Sequence, residues 1–113
     1  MDYKILNLKQ DAPTVDQAMA LFQINLETYM LEGVKVIKVI HGYGSHGVGG
    51  GICSTLRKTL AVMKKNGQIK DYLLGIEWDM SNPKCIKLLT HLKDCYSDED
   101  LGKMNPGITI VVL

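Results

Sequence analysis

The chain has 113 residues, 46% of them hydrophobic and 22% charged, with a formal net charge of +1, values that suit one globular domain with a modest single core. No apolar run approaches the roughly 20 residues of a membrane span, and the start Met1-Asp2-Tyr3-Lys4 lacks the apolar stretch of a secretory signal. The three cysteines, Cys53, Cys85 and Cys95, form no C-x-x-C pair, and their odd count argues against a secreted disulfide framework. These features predict a cytoplasmic protein whose thiols are reduced packing residues.

Tyr3 to Leu8 alternates loosely between apolar and polar residues and then meets Asp11-Ala12-Pro13, which predicts a strand followed by a turn. Thr14 with Gln17 three positions on has the form of a capping box. Val15, Ala18, Met19, Phe22, Leu26, Tyr29 and Met30 then recur at helical spacing as one apolar stripe. Gly33 suits the left-handed position that ends such a helix. Val34 to Ile40 is rich in β-branched residues and apolar on both faces apart from Lys35 and Lys38, the pattern of a buried central strand.

Ile52, Leu56, Leu60 and Met63 mark a second helix that stops at Asn66-Gly67. Ile69 to Asp79 reads as a third strand, and Asn82-Pro83 opens a short helix through Ile86, Leu89 and Leu92. Ser97-Asp98-Glu99-Asp100 reads as a solvated acidic loop, and Gly107 to Leu113 as a strongly apolar last strand. The order predicts one α/β domain over residues 1–113, a compact βαβαβ(α)β two-layer sandwich with a mixed four-stranded sheet.

Between the second strand and the second helix lies the run His41-Gly42-Tyr43-Gly44-Ser45-His46-Gly47-Val48-Gly49-Gly50-Gly51. A glycine-rich loop feeding a helix points bare backbone N–H groups at an anion, and the helix dipole favours negative charge there, so the run reads first as a phosphate cradle. The surrounding charge agrees. From Gly33 to Lys70 there is no Asp or Glu, while Lys35, Lys38, Arg57, Lys58, Lys64, Lys65 and Lys70 supply seven positive charges; the rest of the chain carries six basic and twelve acidic residues.

Other chemistries fit the loop less well. Gly42-x-Gly44-x-x-Gly47 matches the dinucleotide fingerprint formally, yet it follows the second strand, and a chain this short cannot supply both halves of that fold. No G-K-[ST] follows the glycines, so it is not a P-loop. His41, His46 and Cys53 lack the spacing of a metal frame, and neither a metal nor a cofactor is implied. His91, among lysines on a short helix, reads as a surface residue.

At these residues the chain resembles the small MutS-related, or Smr, domain, found at the C-terminus of bacterial MutS paralogues and as stand-alone proteins. The family pattern is a strand with L-D-x-H, a helix, a strand ending in H-G-x-G, a glycine-rich turn into a helix starting near L-R, and a final G-x-T-V-V-x-L strand. This chain has Leu6-Asn7-Leu8-Lys9, then His41-Gly42-Tyr43-Gly44, Leu56-Arg57, and Gly107-Ile108-Thr109-Ile110-Val111-Val112-Leu113. The resemblance implies a fold similar to the C-terminal domain of translation initiation factor three. It also implies association with nucleic acid, in several members as a DNA-nicking or RNA-cleaving endonuclease.

The acid and histidine of L-D-x-H are replaced here by Asn7 and Lys9. Asparagine cannot accept a proton as a carboxylate does, and a lysine at its usual pKa of about 10.4 is a cation near neutral pH. The phosphate-binding half is kept and the acid/base half is altered. The residues thus predict phosphate binding by the backbone of Gly42, Tyr43, Gly44, Ser45, His46, Gly47, Gly49, Gly50 and Gly51 with Arg57 and Lys58, selective for nucleic-acid shape rather than sequence. The more distant Lys35, Lys38, Lys64, Lys65 and Lys70 add weaker attraction, and Tyr43 either stacks on an unpaired base or covers the sheet edge. If cleavage occurs, His41 is the remaining general acid or base and Lys9 stabilises the developing charge. The alternative is a protein-interaction domain that keeps the fold and meets a partner through its acidic half, Asp98 to Asp100 included.

Overall fold

The computed structural model describes residues 2–43 and 48–113. The first strand, β1 (Tyr3–Asn7), runs parallel to β2 (Val36–Ile40), with Tyr3 opposite Val36 and Asn7 opposite Ile40. The last strand, Ile108–Val112, lies antiparallel to β2 and is itself flanked by Asp71–Leu74, also antiparallel to it. With these labelled β3 (Asp71–Leu74) and β4 (Ile108–Val112), the sheet order is β1-β2-β4-β3. The sheet is mixed and four-stranded, as the sequence predicts.

Two long helices cover one face. α1 (Val15–Leu31) joins β1 to β2, and α2 (Val48–Lys65) joins β2 to β3. Ala18, Phe22 and Leu26 of α1 and Ile52, Leu56, Leu60 and Met63 of α2 pack on Leu6, Ile37, Val39 and Val111 of the sheet. The capping box forms: Thr14 Oγ1 accepts from the Gln17 N–H at 3.1 Å while the Thr14 N–H donates to Gln17 Oε1 at 2.9 Å. Gly33, at φ +77°, takes the left-handed position beyond the helix end.

The side chains of β2 alternate between faces, so Val36 enters a second core. There it meets Leu73, Ile108 and Ile110, together with Trp78, Cys85, Leu89, Leu92 and Cys95. Cys85 and Leu89 come from α3 (Pro83–His91) and Cys95 from the 3₁₀ turn Lys93–Ser97, while Trp78 directly follows the 3₁₀ turn Gly75–Glu77 and Leu92 joins α3 to Lys93–Ser97. The helix-on-sheet sandwich is thus the α1/α2 side of the molecule, and the short elements cover the opposite face. All three cysteines are buried, unpaired thiols; burial pushes Cys95 up to about 11, which suits packing rather than nucleophilic chemistry. Among the described residues no helix is long and apolar enough to cross a membrane.

Several boundaries differ from the sequence pattern for identifiable reasons. β3 ends at Leu74 rather than running to Asp79 because the chain turns at Gly75, where an added Cβ would lie 1.7 Å from the Asn105 carbonyl oxygen. α2 begins at Val48 rather than at Ile52, so Gly49, Gly50 and Gly51 are helical. A Cβ at Gly51 would sit 3.1 Å from Val15 Cγ2, so that glycine serves the close approach of the two long helices.

The largest correction concerns Lys38 and the acidic run. Ser97 to Asp100 is not a solvated loop throughout: the Asp98 side chain is 1% exposed, and Lys38 is fully buried between two carboxylates. Lys38 Nζ lies 2.8 Å from Asp98 Oδ1 and 2.6 Å from Asp100 Oδ2. The Trp78 indole N–H donates to Asp98 Oδ2 at 3.0 Å, and the Tyr3 hydroxyl donates to Asp98 Oδ1. Burial alone pulls the Lys38 ammonium down, but its hydrogen bonds to Asp100 and Asp98 outweigh this and hold it above its ordinary value. Lys38 therefore adds nothing to a surface field. A polar position in a central strand is neutralised internally instead.

Candidate functional site

The parallel pairing of β1 with β2 brings their carboxyl ends to one edge of the sheet. Asn7 lies opposite Ile40, and just beyond it the Leu8 N–H donates to the Ile40 carbonyl at 2.7 Å. Asn7, Lys9 and His41 therefore share this edge. Asn7 and Lys9 are exposed, and Asn7 Oδ1 accepts from the Lys9 N–H at 2.9 Å, closing a tight turn.

His41 is oriented inward. Its ring is fully buried; Nδ1 lies 2.6 Å from the Gly42 carbonyl and Nε2 lies 2.8 Å from Thr109 Oγ1. A carbonyl can only accept, so Nδ1 carries the proton and Nε2 accepts from the Thr109 hydroxyl. The imidazole pins the end of β2 to the start of β4. Burial pushes its pKa below the ordinary 6.5, against the hydrogen bond to Gly42 and assisted by the Arg57 charge.

That shift predicts a pH dependence. The folded state holds His41 neutral more strongly than the unfolded chain does, so its contribution is complete above about pH 6.5 and is lost as the pH falls below that value toward the folded pKa. Denaturant midpoints measured between pH 7.5 and 5 are expected to fall for the native chain. They should fall less for His41→Gln, which cannot become charged; equal falls would show that His41 does not carry the effect.

The backbone after His41 requires glycine. Gly42 sits at φ +72°, in the left-handed region, and the N–H groups of both His41 and Gly42 donate to the Gly107 carbonyl at 3.0 Å. A Cβ on Gly107 would come within 3.4 Å of Gly42 Cα, so the two chain segments touch through their glycines. Tyr43 follows, 60% exposed. Gly44, Ser45, His46 and Gly47, which complete the expected cradle, lie outside the described residues. α2 then starts at Val48 with no acidic residue in its first turn, and a helix start leaves four backbone N–H groups without intrahelical partners.

Further along α2, Arg57 reaches back toward the same edge. Its Nη2 donates to the Pro106 carbonyl at 3.1 Å, beside Gly107, and its Nε is buried without a partner among the described residues. Lys58 is exposed next to it. Other basic residues named from the sequence are dispersed. Lys64 pairs with Asp71 at 2.9 Å, while Lys35 and Lys70 flank the opposite end of the sheet, where their backbones join Leu113 and Val112. Among the described residues no three of His, Cys, Asp or Glu converge as metal ligands.

One segment of the site has no sequence signal strong enough to find it. The Asn105 amide donates to Asp100 Oδ1 at 3.0 Å, and its Oδ1 accepts from the Gly107 N–H at 2.8 Å. A continuous chain of hydrogen bonds thus runs from buried Lys38 through Asp100 and Asn105 to Gly107, and on to the backbone of His41 and Gly42. Asn105-Pro106-Gly107 is legible as a turn. Its place beside His41 depends on the antiparallel pairing of β4 with β2, which a linear pattern does not reveal.

Comparison with known proteins finds no matching family model and no matching curated protein. Among solved structures, the chain is similar to the Smr domain of MutS2 from Thermus thermophilus, with a TM-score of 0.60 over 97% of this chain and 96% of that one, at 18% sequence identity. The shared property is the fold: this chain has an Smr-like α/β architecture.

Proposed function

We propose that this Smr-like domain binds nucleic acid through the edge formed by the carboxyl ends of β1 and β2, contacting phosphates rather than reading bases. The observation that carries the reading is the left-handed Gly42 and Arg57, which bonds the Pro106 carbonyl beside Gly107, at one edge with the acid-free start of α2; exposed Lys58 follows Arg57 on the same helix. Backbone N–H groups and the helix start would hold one phosphate, and Arg57 with Lys58 a neighbouring one. Tyr43, which is exposed, would stack on an unpaired base. The fold shared with the Smr domain of a MutS2 protein supports the reading, as do the H-G-x-G and final-strand motifs of the sequence.

Binding without cleavage is the form that the described residues favour. Asn7 cannot act as a base, Lys9 is a surface cation, and both nitrogens of His41 are engaged inside the protein. His41 then acts as a positioning residue, fixing the loop through Gly42 and β4 through Thr109. The alternative, an acidic face for a protein partner, loses its main surface, because Asp98 and Asp100 are turned in on Lys38.

Arg57→Ala with Lys58→Ala is expected to weaken binding of a fluorescein-labelled single-stranded oligonucleotide by about tenfold or more at low salt, and to lower the salt slope by roughly one to two phosphate contacts. Fluorescence anisotropy measures both, with unchanged circular dichroism as the folding control. Unaltered affinity in a folded variant would move the binding surface away from α2.

A further inference from the structure

A second concave site lies at the other end of the sheet. A cavity of about 390 Å³ opens there between α3 and the start of β3, where β4 ends. This volume falls within the roughly 300–1,000 Å³ typical of small-ligand sites. Lys84, Lys87, Leu88 and His91 fall at i, i+3, i+4 and i+7 along α3, so one helical face delivers them together. Lys70 approaches from the strand side.

Cations predominate at its mouth. Asp71 is the single carboxylate in the lining, and it is already bound by Lys64 at 2.9 Å and Lys84 at 3.2 Å. The floor is apolar, formed by Leu73, Leu88 and Val112; Leu73 is 2% exposed, and the other two belong to the rim of the second core. A bare phosphate would use the lysines and leave the apolar floor wet. A purely apolar ligand would bury lysines without a counter-charge. The ligand that satisfies both halves carries a phosphate on a flat ring system.

We propose that this cavity binds a nucleoside monophosphate, with its phosphate among Lys70, Lys84 and Lys87 and its base over Leu73, Leu88 and Val112. The same chemistry arises from a free nucleotide or from the phosphorylated end of a nucleic-acid strand. The cavity stands apart from the Gly42 edge: Lys70 and Val112 mark the sheet end where β2 starts, while His41 lies where β2 finishes.

The test is a titration of the full ¹⁵N-labelled chain, followed by amide NMR shifts, with three probes at constant ionic strength: adenosine 5′-monophosphate, inorganic phosphate, and a single-stranded dodecamer with or without a 5′-phosphate. The expected result is saturable shifts at Leu73, Lys84 to His91 and Val112 with adenosine 5′-monophosphate, and several-fold weaker effects with inorganic phosphate. Lys70→Gln with Lys87→Gln, two exposed residues, should abolish the shifts and leave the fold intact. The Arg57→Ala, Lys58→Ala chain should retain them. A 5′-phosphate that tightens dodecamer binding at these amides identifies the strand end as the source, and indifference to it identifies the free nucleotide. Equal responses to phosphate and to the nucleotide, or shifts confined to residues 41–58, overturn the proposal; the latter would leave the loop site standing.

Discussion

Lys38→Ala should destabilise the domain by about 3–5 kcal/mol, the range for removing one partner of a buried ion pair. Lys38 is completely buried and Asp98 is 1% exposed, so truncation leaves a carboxylate in the interior whose remaining partners, the Trp78 indole, the Tyr3 hydroxyl and the Asp100 backbone N–H, carry no charge. Urea unfolding reads the effect as a lower midpoint at unchanged slope. Asp98→Asn in the Lys38→Met background should recover part of the loss, because the amide can still accept from Trp78 and the fully buried Asp98 charge is gone, leaving only the partly exposed Asp100 charge unpaired. A loss under about 1 kcal/mol, the value for surface pairs, would mean that the cluster is solvated.

The same cluster has an acid limit. Burial raises the Asp100 carboxyl, but hydrogen bonds from Asn105 and Lys38 outweigh this and hold it below its ordinary value of 3.8. Its contribution is therefore present above that value and is lost as the pH falls through the lower folded pKa. Because Asp100 holds Asn105, and Asn105 holds Gly107, losing the cluster also loosens the backbone beneath Gly42.

Gly75→Ala should destabilise by about 3 kcal/mol, the upper end of ordinary overpacking, and should weaken nucleic-acid binding although Gly75 is remote from the proposed contacts. Its Cβ would lie 1.7 Å from the Asn105 carbonyl oxygen and 2.9 Å from Ile108 Cγ1. The Asn105 backbone is held on both sides by its own side-chain bonds to Asp100 and Gly107, so relief requires the segment that supports His41 to shift. Gly67→Ala is the matched control: its φ of +76° disfavours a side chain, yet no atom lies within 4 Å of the added Cβ. It should cost about 1–2 kcal/mol with binding unchanged. Equal effects of the two substitutions on affinity would separate the Asn105 segment from the site.

Local rules made most elements readable in advance. Thr14 and Gln17 cap α1 as their spacing requires, Gly33 ends it, and the β-branched runs at Val36–Ile40 and Ile108–Val112 form the paired centre of the sheet. What the linear pattern hid were consequences of long-range pairing. Lys38 looks like surface charge until Asp98 and Asp100, sixty residues on, fold against it. β3 looks longer than it is until Asn105 crosses Gly75. Gly51 stands in the glycine run, and only the packing of α1 shows that Val15 lies against it. His41 has the residue type and position of an acid–base catalyst, and its partner Thr109 becomes visible only when β4 pairs with β2.

The most direct test of phosphate binding at the β1/β2 edge is the affinity of the unmodified chain for a labelled oligonucleotide, measured by anisotropy from about 20 to 300 mM salt. A linear fall of log affinity against log salt, with a slope corresponding to roughly two or more phosphate contacts, is the predicted result. No binding at the lowest salt, or an affinity indifferent to salt, would contradict it.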